Sequence, residues 1–379
     1  GQAAGGYFAY LSVLFGICTG PLVWGRIAAL VSRATQALHA AQEATHELYV
    51  DDPLVATSGT SAQIRWARAR ILWFWLLLGL KIRWSKGSLG AEAEWIGAHV
   101  KVNNDERSVV VTLPKDKLEE WRKAAQELLQ SKHVTRRQVV RVAGKFSWVA
   151  GFILQAKPVV RMLYAAIQSG QSKKLQSGWI YTRQIAGAVK WLIALMQGFH
   201  AGLRWESRAF TRHVCCLDIQ CDASPWGGGA VLWCEGQPRE CMTLKWTEDD
   251  ATRMGAKIGS PSSQATWEAF MMLRALWHWM MPNLQGYVRI RGDAQGVLEA
   301  FVKRSAKSPS LSLLVKEMTL FLAFNFLSLE ALHLWSEDND WADKLSRVFD
   351  PVPAVIPGVL SRLPCVTHAV TRWQDGGPK

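Results

Sequence analysis

The stretch QATWEAFMMLRALWHWM, residues 264–280, constrains this chain more than any other. Its apolar residues recur at helical spacing, yet Glu268 shares an angular sector with Met271, Met272, Ala275 and Trp279. A carboxylate on an inward-facing stripe costs several kcal/mol if it is charged and unpaired. The fold must therefore bring a compensating group to Glu268.

The flanking sequence offers candidates. In VCCLDIQCD the odd positions Cys215, Leu217, Ile219 and Cys221 are apolar, while Asp218, Gln220 and Asp222 share the other face of a strand. GGAVLW (228–233) and MTLKW (242–246) continue as an antiparallel meander. After the helix, YVRIRGD ends a strand in Asp293, DAQGVLEAF opens a helix, and a second helix runs near Leu311–Phe324. LEALHLW (329–335) is the last strand, and Asn339 or Asp340 is placed to cap the helix WADKLSRVF, with Asp343 in its first turn. The order reads β-β-β-α-β-α-α-β-α, an α/β (α+β) domain with a mixed five-stranded sheet flanked by helices.

Asp222, Glu268, Asp293 and Asp343 thus fall at element ends or on an inward face. Each alone reads as a cap or a surface group, but four converging on one sheet edge do not. Clustered carboxylates raise one another's pKa unless cations lie between them, which points to hard, oxygen-seeking ions such as Mg2+, or Mn2+. Two ions about 4 Å apart activate a water and stabilise the leaving oxygen in phosphodiester hydrolysis.

At these residues the sequence resembles the retroelement ribonuclease H domain: DASPWGGGAVLW (222–233), WEAFMMLRALWHW (267–279), RGDAQGVLEAF (291–301) and HLWSEDNDWADKLSR (333–347). The N-x-x-A-D-x-L-S-R pattern of the last piece is the most specific. The resemblance implies Asp222, Glu268, Asp293 and Asp343 as metal-binding catalytic carboxylates, with two ions per active site, cutting the RNA strand of an RNA-DNA hybrid. Ala294 departs from the Ser or Asn often found there, and the loop before Glu268 is long.

The first half then bears a second comparison. HELYVDDPLVATS (46–58) places Asp51 and Asp52 before Pro53, a pattern that also ends strands in ordinary turns. In order along the chain, FGICTGP (15–21), YVDD (49–52), LGLKIRWSKGSLG (78–90) and EWIGAHV (94–100) resemble motifs of a reverse transcriptase palm, as fused to ribonuclease H in gypsy-like and DIRS-like retrotransposons. This implies Asp51 and Asp52 as polymerase metal ligands, and Phe15, Gly16 and Lys86 as nucleotide or template contacts, with an RNA template and DNA primer as partners. The family's third palm Asp lies upstream of the F-G segment, and residues 1–379 do not contain it, so the expectation is a ribonuclease H-type endonuclease with an RNA-directed DNA polymerase palm that does not polymerise alone. Pro53 stands where the family usually has an aliphatic residue.

LPKDKLEEW and TRRQVVRVAGKFSW resemble the thumb and the start of the connection. Thr135 is placed as an N-cap, and Arg136, Arg137, Arg141 and Lys145 lie on or near the outer helical face, as suits either phosphate contacts or a solvated surface. Lys and Arg exceed Asp and Glu by 44 − 31 = 13, which favours a polyanionic partner. A decayed or domesticated nucleic-acid-binding protein shares that charge and stays open as an alternative.

The expected domains are a partial palm (1–103), thumb and start of connection (104–168), linker and connection helix (169–210), ribonuclease H-like domain (211–349) and a Pro-containing extended tail (350–379). Seven cysteines without a C-x-x-C pair read as free thiols in a reducing, intracellular compartment, cytoplasm or nucleus. Residues 5–25 carry no charge, but Gly16, Thr19, Gly20 and Pro21 interrupt them, so no stable membrane association is expected.

Overall fold

The computed structural model describes residues 2–3, 6–7, 20–106, 108–169, 178–198, 203–208, 215–281, 284, 286–325 and 327–368. Phe15 and Gly16, most of the uncharged stretch 5–25 and residues 170–177 of the expected linker lie outside them. The chain divides into two compact units, residues 1–100 and 101–379. No helix among the described residues is long and apolar enough to cross a membrane.

The first unit contains a helix, Gly20–Gln36, an antiparallel hairpin of Ala44–Tyr49 and Asp52–Thr57, and a second helix, Ser61–Leu77. Thr60 opens the second helix with a capping box: its hydroxyl accepts from the Gln63 backbone while the Gln63 side chain accepts from the Thr60 backbone. The buried core is small, Ala44, Ala67 and Ile71 with Val55 and Trp75 against them. Most of the helical tryptophan and leucine surface is consequently exposed, including Trp66, Trp73 and Leu77.

In the second unit, helices Lys115–Glu127, Arg136–Val149, Ala156–Ser169 and Thr182–Met196 bury one core containing Trp121, Phe146, Ile153, Leu163, Ile185 and Leu192. Thr135 caps its helix as expected, in a reciprocal box with Gln138. The apolar stripe Val139, Val142, Phe146 and Val149 is fully inside, so the arginines of that helix face outward.

The carboxylate-bearing part of this unit is built on β1 (Cys215–Ala223), β2 (Gly227–Cys234) and β3 (Gln237–Lys245), followed by α1 (Glu248–Met254) and α2 (Gln264–Trp279). Then come β4 (Tyr287–Gly292), α3 (Gln295–Lys303), α4 (Pro309–Phe324), β5 (Ser328–His333), α5 (Asp340–Ser346) and β6 (Cys365–Val366). The sheet order is β5-β4-β1-β2-β3-β6. β1, β2 and β3 are antiparallel neighbours, β4 and β5 run parallel to β1, and β6 runs parallel to β3.

α2 is buried on nearly every side, because it lies between the sheet and the helices α3 and α4. Its Trp267, Phe270 and Met272 join Ile219, Met242 and Ile290 of the sheet in one core. Leu320 of α4 reaches the core of the four-helix layer, so the helices and the sheet share buried contacts.

Two features depart from the sequence reading. α1 forms where only a connection is expected, on a capping box between Thr247 and Asp250. The stretch after residue 349 is also more than an extended tail: Leu360 is buried against Val231, Cys241 and Leu345, and Cys365–Val366 adds a sixth strand to the five expected. Prolines at 351, 353, 357 and 364 stop a long ladder, which leaves a two-residue strand with no repeating pattern to read.

Candidate active site

β1 delivers Asp222 near its C-terminal end, on the face that α5 covers. β4 runs parallel beside it, so Asp293 follows at the same end of the sheet. α2 contributes Glu268 one turn from its N-terminus. Oxygens of Asp222, Glu268 and Asp293 all lie within 4.8 Å of one another. The compensating group that Glu268 requires is absent from the side chains around it, since its Oε2 is buried with no hydrogen-bond partner among the described residues.

The other oxygens are held by neutral donors. Gln264 Nε2 donates to Glu268 Oε1 at 2.8 Å and also to the Ala223 carbonyl. Ser346 Oγ donates to Asp222 Oδ2 at 2.6 Å, and Asn339 Nδ2 reaches Asp222 Oδ1 at 3.3 Å. Ser336 Oγ donates to Asp293 Oδ2 at 3.0 Å. None of these donors neutralises a charge.

Burial therefore dominates the electrostatics. It pushes the Asp222 carboxyl up to about 7, helped by Asp293 and Asp343, although the Ser346 hydrogen bond opposes the shift. Burial raises Glu268 well above the carboxylate range, and Asp222 beside it adds to the effect. A buried cluster of this kind is stable as a set of anions only with cations among them, and oxygen donors suit hard divalent ions. The orphaned Glu268 Oε2 and the three converging carboxylates fit such an ion.

Asp343 is brought to the same region but is not one of the close trio. It is half-exposed, and its Oδ1 accepts from Arg347 at 2.7 Å, one turn along the chain. The ion pair takes up one of the two carboxylate oxygens of Asp343.

α5 approaches the sheet through glycine. A Cβ at Gly229 would sit 2.4 Å from the Ala342 carbonyl oxygen and 2.5 Å from the Ser346 nitrogen. Gly227 and Gly229, on the α5 face of β2, thus let Ser346 reach Asp222, which a side chain there would prevent, whereas a Cβ at Gly228 would meet Met271 and Trp246 on the other face.

Gln264 and Ser336 are site residues that pattern reasoning does not find, since polar groups four residues from a carboxylate or in a loop are ordinary surface features; Ser346 stands in the N-x-x-A-D-x-L-S-R pattern, but its bond to Asp222 is not readable there. Asn339 is found but given another task. It stands at the N-cap position of α5 and makes no side-chain cap there; its amide turns inward to the Cys221 carbonyl and Asp222.

In the first unit, Asp51 and Asp52 are exposed at the hairpin tip, where Tyr49 pairs with Asp52 and Val50 adopts a φ of 58°. A β-branched residue is strained in that region, and the turn is held by Trp24 Nε1 donating to the Val50 carbonyl (2.7 Å) and Trp95 Nε1 to the Asp52 carbonyl (3.0 Å). Pro53 sits opposite Leu48 in a two-stranded ladder. Lys86 is exposed in the short helical turn Trp84–Lys86.

Arg136, Arg137 and Arg141 are exposed along their helix, whereas Lys145 pairs with Glu120 at 2.5 Å and lies over the Trp121 ring. Lys145 therefore leaves the set of cations open to a phosphate backbone.

No protein-family profile and no curated protein matches the chain. Among solved structures, it is similar to a foamy viral protease-reverse transcriptase in complex with double-stranded DNA, at 12% identity and a TM-score of 0.35, over 82% of this chain and 49% of that one. The same viral protein with an RNA/DNA hybrid aligns at 13% identity and a TM-score of 0.34, over 91% and 40% of the two chains. A further complex with double-stranded DNA gives 13% and 0.34, over 84% and 59%. This chain thus spans less than two thirds of each of those proteins.

Proposed function

We propose that residues 211–349, with the segment through β6 that completes their sheet, are a ribonuclease H-type endonuclease that hydrolyses the RNA strand of RNA-DNA hybrids. The observation that carries this reading is the buried trio Asp222, Glu268 and Asp293 with an unpartnered Glu268 oxygen. The sheet order, with three antiparallel strands followed by two parallel ones on the far side of β1, agrees with the motif-by-motif resemblance noted above.

Magnesium or manganese held by these carboxylates would supply an activated water and charge stabilisation at the leaving oxygen. The protein's own part is to aim the ligands. Ser346 and Asn339 set the plane of the Asp222 carboxylate, Gln264 sets that of Glu268, and Ser336 restrains Asp293. Asp343, whose Oδ1 is tied to Arg347, would be the fourth carboxylate able to help hold the metal.

In the test, purified protein is given a labelled hybrid with Mg2+ or Mn2+. Cleavage of the RNA strand is expected, with a loss of at least about 10³-fold in Asp222→Asn and Asp293→Asn. Cleavage that survives both substitutions sinks the assignment. The decayed-binder alternative is separated by calorimetry, since it predicts hybrid affinity without Mg2+ binding at the trio.

For the first unit we propose reverse transcriptase ancestry, with Asp51 and Asp52 as metal ligands of its palm and the divisions at 103, 168 and 210 as the domain limits. Sustained primer extension on an RNA template by this chain would overturn the expectation that it does not polymerise alone.

A further inference from the structure

We propose that Asn339 is a positioning residue for Asp222, oriented by a relay that runs from Trp233 through the buried Gln220; the proposal rests on the trio being a metal site.

The relay has a defined polarity. An indole N–H only donates, whereas a side-chain amide has one accepting and one donating end and works in either sense until a neighbour decides it. Trp233 Nε1 donates to Gln220 Oε1 at 3.1 Å. That turns the Gln220 amide nitrogen toward α5, where it donates to Asn339 Oδ1 at 3.0 Å and to the Asp338 carbonyl at 3.1 Å. With its oxygen taken, Asn339 presents Nδ2 to the Cys221 carbonyl at 3.1 Å and to Asp222 Oδ1 at 3.3 Å. Reversal of either amide would set a carbonyl oxygen against an acceptor.

Gln220 and Asn339 are almost wholly buried, at 3% and 1% exposure, so water does not substitute for a lost partner. The origin of the relay is itself held in place. The Trp233 ring is stacked on Trp341 at 5.4 Å and 7° between planes, and Arg291 lies 4.8 Å from its centroid. Arg291 in turn donates to Asp218 at 2.7 Å. Gln220 and Asp222 share one face of β1, two residues apart, which is why a single helix start reaches both.

Partners that orient a metal-binding carboxylate typically change metal affinity by 10–100-fold when removed. The experiment compares wild type with Asn339→Ala, Gln220→Glu and Trp233→Phe. It measures Mn2+ affinity by calorimetry, kcat and KM for hybrid cleavage, and thermal stability. Asn339→Ala is expected to weaken Mn2+ binding about tenfold and lower kcat with KM unchanged. Trp233→Phe keeps the stack and loses only the donor, with an effect of about threefold in the same direction.

Should Asn339→Ala fail to fold, the Gln220→Glu and Trp233→Phe proteins decide the matter. Wild-type Mn2+ affinity and kcat in the folded variants, with only a lower melting temperature, overturns the proposal. Wild type that binds Mn2+ without cutting hybrid refutes the nuclease reading alone, and the relay is then judged on Mn2+ affinity. Wild type that binds no Mn2+ overturns both.

Discussion

Two groups of carboxylates in this chain show what a fold does to the same chemical group. Asp51 and Asp52 stand in water at the tip of a two-stranded hairpin, in a unit whose core cluster among the described residues is Ala44, Ala67 and Ile71. Asp222 and Glu268 are enclosed between a six-stranded sheet and helices, with Asp293 at their side. Adjacency in sequence gave the first pair no shared environment beyond the turn. Separation by 46 and 25 residues, from 222 to 268 to 293, did not keep the trio apart, because parallel β1 and β4 end together under α2.

The widest gap between the two groups should appear in the dependence of stability on pH. The Asp222 carboxyl sits near 7 in the folded chain against 3.8 when free, so its proton is held more tightly in the native state. Such a group favours folding below its unfolded value and loses that contribution as pH rises through the folded one. Without divalent ions, stability should therefore fall between pH 4 and 8, by on the order of 4 kcal/mol from Asp222 if it titrates alone. Mg2+ should reverse the fall at pH 8 and do little at pH 5. Urea unfolding with and without Mg2+ checks this, and Asp222→Asn should flatten the curve, whereas a curve unchanged by that substitution would show that another group is responsible.

A smaller contrast concerns glycine. Gly229→Ala puts a methyl group onto the backbone of α5, so the strand and helix must separate and Ser346 is drawn off Asp222. Destabilisation of about 1–3 kcal/mol is expected, together with weaker Mn2+ binding. Gly25→Ala, in a helix of the first unit with open space around the new Cβ, should instead stabilise by about 0.5–1 kcal/mol. Denaturation midpoints of the two variants measure the difference, and a Gly229→Ala protein as stable as wild type would remove the close approach of α5 as the reason for glycine at 229.

How much of this was legible in the sequence follows from which interactions leave a periodic trace. Glu268 could be read because one carboxylate on an apolar helix breaks a pattern, and Asp222 because alternation in β1 assigns its face. The antiparallel meander of the first three strands needed only short connections and element types, whereas the placement of β4 and β5 beside β1 was not read from the sequence. Asn339 stands at the N-cap position that the sequence offered to it or to Asp340, but its inward turn was not legible because it depends on Gln220, more than a hundred residues away. Arg347 neutralising Asp343 is local, yet its i to i+4 spacing is equally that of an ordinary surface pair. Leu360 and the strand at Cys365–Val366 are held by tertiary burial between prolines, which has no signature at all.

The smallest expected effect compares cations within one helix. Arg136, Arg137 and Arg141 are exposed, while Lys145 is already matched by Glu120. If this face follows a nucleic-acid backbone, each arginine releases about one counterion on binding, so each Arg→Ala change should reduce the slope of log affinity against log salt by about 0.9. Lys145→Ala should change the slope less, since its charge is spent within the protein. Hybrid binding by anisotropy at several salt concentrations, in a metal-free buffer, measures all four. Equal slopes for wild type and the three arginine variants would return this face to plain solvent exposure, leaving the net charge of +13 to act through other surfaces.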